Sequence, residues 1–349
     1  MGVLIYMPPS ITQIPFKKFT WHNVASNGEE EIRWLRDNFS FAPTHLTDCA
    51  TPPLRPKIEF KADYIFIVLL FPLYSRKTGQ ITPREIDVFL GQNFLVTVHT
   101  NEVGAIKDLA QKADSLPETR ALFEAANPLP LFLGLVQELL DALFPMLNHV
   151  AWDIDTLDNE LFSGQEQELI HKILAAKKNI MDIRKSMQGY DHVLTELAAS
   201  CRGYFGAKKL EPNFNHLIAK SRDIWDQIEN HKATIDAVRQ TNESLISFRL
   251  SHVMKTLTIL SVMIFPLTLL AAIFGMNTES GMPFLKSGFG FWKVIFLMII
   301  LSGGMLYYFK KHKGFIQYLG LLPFIFLNYF LTLSLAPFMR IVDKKINLL

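Results

Sequence analysis

Cysteine is nearly absent: Cys49 and Cys201 are the only two in 349 residues. A pair so far apart supplies neither a disulfide framework nor a cysteine-based zinc site, which leaves two reduced cytosolic thiols. Net charge is nearly absent too, at +2, and gives no reason to expect nucleic acid as a partner. The N-terminus, MGVLIYMPPSITQIPFKK, lacks a basic n-region, a small-residue cleavage site and an arginine-rich transit pattern. Tyr6 stands where a myristoylation motif places Ser or Thr, so the N-terminal part is expected to stay in the cytosol. No Walker loop, His-Glu-x-x-His or nucleophile elbow is present. Gly288-Phe289-Gly290 is a fragment of a glycine-rich pattern and reads as a turn into a hydrophobic segment. Enzymatic chemistry has no residues to rest on, and no cofactor is required.

Uncharged length is what the chain has in excess. Residues 257–276 carry no charge over about twenty positions, which as a helix would cover ~30 Å, one bilayer core. The polar residues in this run, Thr258, Ser261 and Thr268, can bond back to helix carbonyls or face an interior. Pro266 is a kink of the kind membrane helices tolerate, and the run closes on Gly275-Met276-Asn277. A second run, 291–309, carries only Lys293 near its start. Two spans joined by a short loop make a hairpin, and what precedes it must fold in water. Arg249 and Lys255 flank the start of the first span, and Lys310, Lys311 and Lys313 the end of the second. The connection, with Glu279, Lys286 and Lys293, has a smaller basic excess. By the positive-inside rule both ends are cytosolic and the loop lies outside. Trp292 and Tyr307-Tyr308 sit at the two ends of the second span as interfacial aromatics do, and Ser302-Gly303-Gly304 would let another helix approach closely.

Upstream, residues 1–125 read as a mixed α/β domain. The stretch 29–35 predicts a short helix with Ile32 and Leu35 on one face; 44–50 predicts a second, opened by Pro43 and stopped by Pro52-Pro53. Strands are expected at 64–71, 85–90 and 93–99, with Arg76-Lys77-Thr78-Gly79 as turn residues after the first and Gly91-Gln92 between the others. Residues 126–252 change to long helices. Leu131, Leu135, Leu139, Phe144 and Leu147 form a helix stripe interrupted by Pro145. The acidic stretch 152–160 and a helix from 166 to about 200 predict an αα-hairpin with Gly164 at its break, and 203–212 reads as a loop. From Asn213 no Pro or Gly appears until Pro266, so one helix of some sixty residues, ~90 Å long, should run to Gly275. Such a rod needs partners in a bundle or an oligomer.

The segment VMKTLTILSVMIFPLTLLAAIFGMN, the Met282-Pro283 that follows and the close Tyr307-Tyr308-Phe309-Lys310-Lys311-His312-Lys313 together resemble the CorA-type divalent-cation transporters. Their signature is Gly-Met-Asn at the outer end of the first of two membrane helices. The bare tripeptide recurs by chance; in this context it is specific. Separate matches lie in REIDVFLGQNFLVTVH and RPKIE, so the resemblance covers nearly the whole chain to Lys313. It implies an α+β cytosolic domain with long helices, followed by a two-span α-helical membrane hairpin at 253–313. It also implies a funnel-shaped homopentamer in the cell (inner or plasma) membrane, multi-pass, with the N-terminal domain cytoplasmic and the bilayer and divalent cations as partners.

Two readings of Gly275-Met276-Asn277 stand side by side. Gly and Asn commonly stop helices; alternatively a ring of Asn277 amide oxygens, one per subunit, holds Mg²⁺ with its waters attached. Mg²⁺ dehydrates reluctantly, and conduction needs binding that is favourable but escapable. The resemblance favours the ion filter. It also implies a pore lining of Met254, Leu257, Ser261, Phe265, Thr268 and Ala272, with Met254 and Leu257 at an apolar constriction near the cytosolic side. The family often has Met where Phe265 stands and Gly where Ala272 stands, and Asn-Glu in place of Ser251-His252. In the outer loop Glu279 supplies a carboxylate, while Phe284 stands where many magnesium-transporting members place Glu; zinc-transporting ZntB relatives share Gly-Met-Asn and differ in this loop. Asp223, Asp226 and Glu229 recur every third residue on the stalk and are candidate sensor carboxylates, beside the reading as a solvated charged face. His216 and His231 lack close partners and read as surface or packing residues.

Residues 314–349 form an extra hydrophobic tail in which 315–339 is again uncharged. Its length permits a third span, while Gly320 and Pro323 allow a re-entrant or interfacial segment. The resemblance implies passive uptake of Mg²⁺, and of Co²⁺ or Ni²⁺, with Mg²⁺ as substrate and a candidate regulatory ligand. Zn²⁺ transport and a non-conducting membrane-anchored helical scaffold are the rivals.

Overall fold

The computed structural model describes residues 7–51, 55–100, 102–164, 166–205, 211–277, 283–284 and 288–311. By compactness the chain divides into two units, Met1–Ser247 and Phe248–Leu349.

A six-stranded sheet organises the first unit, in the order β1-β2-β6-β5-β4-β3. Its longest members are β4 (Tyr64–Ser75) and β5 (Gln80–Gly91), paired antiparallel along their full length. The turn 76–79 joins them, with Gly79 at φ 65 supplying the left-handed position. Strand β4 reads as a continuous apolar run because it is covered on both sides. Ile65, Ile67, Leu69 and Phe71 join a core shared with the long helices, whereas Phe66 and Val68 join a second core under α1 (Glu29–Asn38) and α2 (Pro43–Ala50). Strand β6 (Phe94–His99) pairs with β5 antiparallel and with β2 (Thr20–Val24) in parallel. Trp21 on β2 is fully buried, and its indole N–H donates to Thr97 Oγ1 on β6 at 3.0 Å. Thr97 in turn donates to Asn23 Oδ1 at 3.0 Å, so buried polar groups lock the parallel register.

The expected strands at 64–71 and 85–90 lie inside β4 and β5, which run longer, and the one at 93–99 is β6 less its first residue. Three further strands, β1 (Ile11–Pro15), β2 and β3 (Lys57–Phe60), carried no clear signal. They are four or five residues long, and β1 and β3 are edges, too short for alternation to stand out.

Helices α3 (Gly104–Ser115) and α4 (Pro117–Phe123) lead to α5 (Leu129–Asp141), whose Leu131, Leu135 and Leu139 are buried. The stripe breaks at Ala142, upstream of Pro145. Pro145 lies in the first turn of α6 (Leu143–Glu160), where a missing N–H costs nothing, while its ring would clash with the carbonyl of Asp141 were the helix continuous. The α5–α6 stretch is apolar and long enough to cross a membrane, yet half of its most apolar window is buried within the protein; it is core.

The αα-hairpin of α6 with α7 (Glu166–Met187) forms as expected, but the predicted helix to residue 200 is two. Gly189 at φ +99 turns the chain into α8 (Tyr190–Phe205), which occupies the start of the expected 203–212 loop. Pro212 lies in the first turn of the next helix, and 206–210 fall outside the described residues. A Cβ on Gly189 would stand 3.2 Å from that of Pro56. Gly189→Ala is therefore expected to cost about 1–3 kcal/mol, read as a lower melting temperature with an unchanged helical spectrum. Asn179 on α7 fixes the hairpin to the sheet, accepting from the Ile81 N–H at 2.9 Å and donating to Gly79 O at 3.0 Å. Tyr190 Oη donates to Leu70 O at 3.0 Å from the other side of the Gly189 turn.

Asp87, 2% exposed on β5, is flanked in register by Val68 and Val98. Cys49 and Asp48 of α2 and Glu85 on its own strand surround it. Opposite Val68 on β3 stands Lys57, bonded to Asp48 Oδ2 at 2.9 Å and Glu59 Oε1 at 2.8 Å. Burial, then the nearby Glu85 charge, pushes the Asp87 carboxyl well above its usual range, against a bond from Cys49. The folded chain thus keeps a proton that the unfolded chain releases at about pH 4. Stability is full below that pH and is lost as pH rises toward the folded value. Thermal melts in detergent from pH 5 to 9 should show this decline, and Asp87→Asn should flatten it.

Candidate functional site

One helix, α9, runs from Glu211 to Phe274 over 64 residues, the single rod that the absence of Gly and Pro before Pro266 predicts. It enters the second unit at Phe248. There Ile259 and Met263 are buried against Leu306 and Phe309 of α10 (Gly290–Lys311). With Leu267 they recur every four residues, so one stripe of α9 is committed to its neighbour.

The opposite stripe is bare. Met254, Leu257, Ser261, Phe265, Thr268 and Ala272 are all exposed. At 100° per residue they fall within a narrow sector roughly 180° from Ile259 and Met263. Of its large apolar residues Phe265 is the most open at 73%, with Met254 and Leu257 each at 55%. The structure therefore brings the six sequence-predicted positions onto one face. Leu250, four residues before Met254 and 62% exposed, continues it; that spacing was the available signal, and it was missed.

Two hydroxyls punctuate the stripe. Ser261 Oγ donates to Leu257 O at 2.9 Å, and Thr268 Oγ1 to Ile264 O at 2.6 Å. With their hydrogens used inside the helix, both oxygens face outward as acceptors. A hydrated cation presents the hydrogens of its water shell, so acceptors are the groups it needs. The apolar residues between them offer no bonds.

At its C-terminal end α9 closes without a left-handed residue. Gly275 N–H bonds to Ala271 O at 2.9 Å and Ala272 O at 3.2 Å, and Met276 N–H to Ile273 O at 3.2 Å. The last turn tightens and satisfies itself through the backbone. Asn277 follows, exposed and outside the helix. Gly275 and Met276 thus make the stop, and among the described residues nothing bonds the Asn277 amide. Glu279 and Met282 lie outside the described residues.

The stalk acids are not equivalent. Asp223 and Asp226 are exposed one turn apart. Glu229 binds the Arg184 guanidinium and lies 3.5 Å from Lys232 Nζ, and the Arg184 bond holds its carboxyl below the usual range. Arg184 also sits over the Trp225 ring at 5.1 Å. Among the described residues no three His, Cys, Asp or Glu side chains are placed to hold a metal ion within one chain.

A sequence model described as the CorA-like Mg²⁺ transporter protein matches residues 16–311. The chain belongs to this family. The CorA match takes in strands β2 to β6, the long helices and both apolar segments, and ends at the last residue of α10. Among curated CorA proteins, the cobalt/magnesium transport protein of Thermotoga maritima is 26% identical over 295 residues, covering 84% of this chain and 83% of its own. The complete structure of the CorA magnesium transporter from Methanocaldococcus jannaschii shares the fold at a TM-score of 0.73 and 21% identity, over 85% of this chain and 92% of that one. The ZntB cytoplasmic domain from Vibrio parahaemolyticus matches at 0.53 and 14% identity, over 66% of this chain and 89% of that one. The soluble α/β part with long helices is thus a fold that this chain shares with both solved structures.

Proposed function

We propose that the protein is a membrane channel for divalent cations, with Mg²⁺ as the principal substrate and Co²⁺ or Ni²⁺ as further ones. The observation that carries this is the bare stripe of α9, opposite its packed stripe and leading to an exposed Asn277. Both this segment and α10 are apolar and long enough to cross a membrane, and their most apolar windows are only 17% and 6% buried within the protein. In a homopentamer the five stripes face one another and line a pore, with α10 outside them. Asn277 amides at the outer mouth hold the hydrated ion, and Glu279 draws cations toward it. The sheet domain lies in the cytoplasm, the loop between the helices outside the cell (inner or plasma) membrane. An inside-negative potential contributes about 2.3 kcal/mol per charge per 100 mV, about 4.6 for a divalent ion, so uptake needs no ATP. Asp223 and Asp226 belong to the same proposal as regulatory metal contacts; Glu229 joins them only if its pair with Arg184 opens.

Flux into liposomes holding the purified protein, Mg²⁺ beside Zn²⁺, tests the reading. Mg²⁺ flux that depends on Asn277 supports it. Zn²⁺ flux alone would move the protein to the zinc-transporting relatives, and no flux of either ion would leave a membrane-anchored scaffold.

A further inference from the structure

The face of α10 turned away from α9 carries a notch. Leu306 and Phe309 pack on α9; on the other side Phe296, Ile300, Gly303, Gly304 and Tyr307 are exposed, spaced along one helical face. A Cβ built on Gly303 or Gly304 would meet nothing within 4 Å among the described residues. Ile300 and Tyr307, 55% and 67% exposed, wall this gap on either side. Further along the same face a cavity of about 480 Å³ lies among Trp292, Lys293 and Phe296.

Apolarity alone says nothing here, since hydrocarbon covers an apolar face as well as protein does. The glycine pair says more. Two glycines in mid-helix weaken it relative to alanine, and what small residues offer in a membrane is close approach of another helix.

A candidate occupant is tethered beside it. The family match stops at residue 311, and residues 312–349, outside the described ones, follow directly. Within them 315–339 contains no charged residue. Only residues 312–314 separate α10 from this segment, a reach of about 10 Å. The end of α10, to which the segment is tethered, lies about one turn past Tyr307. So short a tether gives it an effective concentration that a second copy or a partner protein must overcome. The segment also carries Gln317, Asn328, Thr332 and Ser334, side chains that are better accommodated against protein than against lipid.

We infer that the uncharged tail segment 315–339 seats on the Gly303–Gly304 face of α10 in its own chain, adding a layer outside the two helices the family match contains. This rests on the membrane reading of α10. Disulfide trapping in native membranes tests it, in the full chain with Cys49→Ala and Cys201→Ala. Gly304→Cys is combined with single cysteines walked through 318–326 and oxidised. The expected result is a disulfide within one chain at positions recurring along the walk, seen as a mobility shift at unchanged mass that is lost on reduction. Leu306→Cys, on the α9 side, should give none. A band of twice the mass would overturn the inference in favour of a second copy, and no disulfide at any position in favour of lipid. If Gly304→Cys does not fold, Ile300→Cys and Tyr307→Cys present the same face. Carbonate extraction of the same membranes separates the two claims: a chain that stays in the pellet keeps the membrane reading whatever the disulfides show.

Discussion

Asn277→Ala is expected to reduce Mg²⁺ flux by at least about a hundredfold while leaving the fold, the assembly and the melting temperature unchanged. The second half of that statement follows from how α9 ends. Its last turn is closed by backbone bonds from Gly275 and Met276 to the carbonyls of Ala271, Ala272 and Ile273, and Asn277 lies beyond the helix. Alanine at 277 removes an amide without removing a cap. The first half follows from what a ring of amides does for a hydrated divalent ion. Hydrogen bonds involving a charged group contribute about 1.5–3 kcal/mol each. Losing the equivalent of two of five leaves the ion at least about 3 kcal/mol less well held at the mouth, a factor of about a hundred. A cap residue would behave in the opposite way, with lower stability and unchanged flux, so the two measurements together discriminate. Asn277→Asp adds a control with a different sign. Five carboxylates would bind Mg²⁺ more tightly and release it more slowly, so half-saturation should fall to lower Mg²⁺ while maximal flux drops.

How much of this was legible beforehand differs between elements for physical reasons. The α9 rod was, because from Asn213 to Phe265 nothing removes an N–H or loosens the backbone. Strand β4 was, because burial on both faces turns alternation into an unbroken apolar run. Gly189 was not. A single glycine is compatible with a continuing helix, and only its φ of +99 and the closeness of Pro56 reveal a turn. The β2 strand stayed hidden because its stability comes from Trp21, Thr97 and Asn23 meeting across more than seventy residues, which no local pattern records. At the site, the pore positions came from the family resemblance. A uniformly apolar segment such as 257–276 has several equivalent helical stripes, and only the contacts of Ile259 and Met263 with α10 decide which one is covered. Helical spacing brings Leu250 into line with Met254 and extends the stripe toward the N-terminal end of α9.

Phe265→Ala is expected to raise Mg²⁺ flux about tenfold and to weaken discrimination among cations. Phe265 is the bulkiest residue of the bare stripe and the most exposed of its large apolar ones, one turn from Ser261 on one side and Thr268 on the other. Both flanking oxygens point outward as acceptors because their hydrogens are donated to Leu257 and Ile264. In the proposed pore this alternation makes two polar stations with an aromatic collar between them. An ion passing from one to the other must cross a ring that offers no oxygen, and an apolar constriction that narrow tends to lose its water altogether. Alanine widens the collar and lets the water shell through; lowering the barrier by about 1.4 kcal/mol gives the tenfold rise. Selectivity should fall with it, because an ion that keeps its shell is recognised by less of the pore. Phe265→Ser should do the same and add an acceptor at the level where none exists. Leu260→Ala, on the same helix but off the stripe, serves as the comparison. If Phe265 instead packed against lipid or a neighbouring helix, its alanine variant would match that of Leu260, with a small loss of stability and flux unaltered. The ratio of the two fluxes therefore tests the orientation of the whole stripe, independently of the amide ring at its outer end.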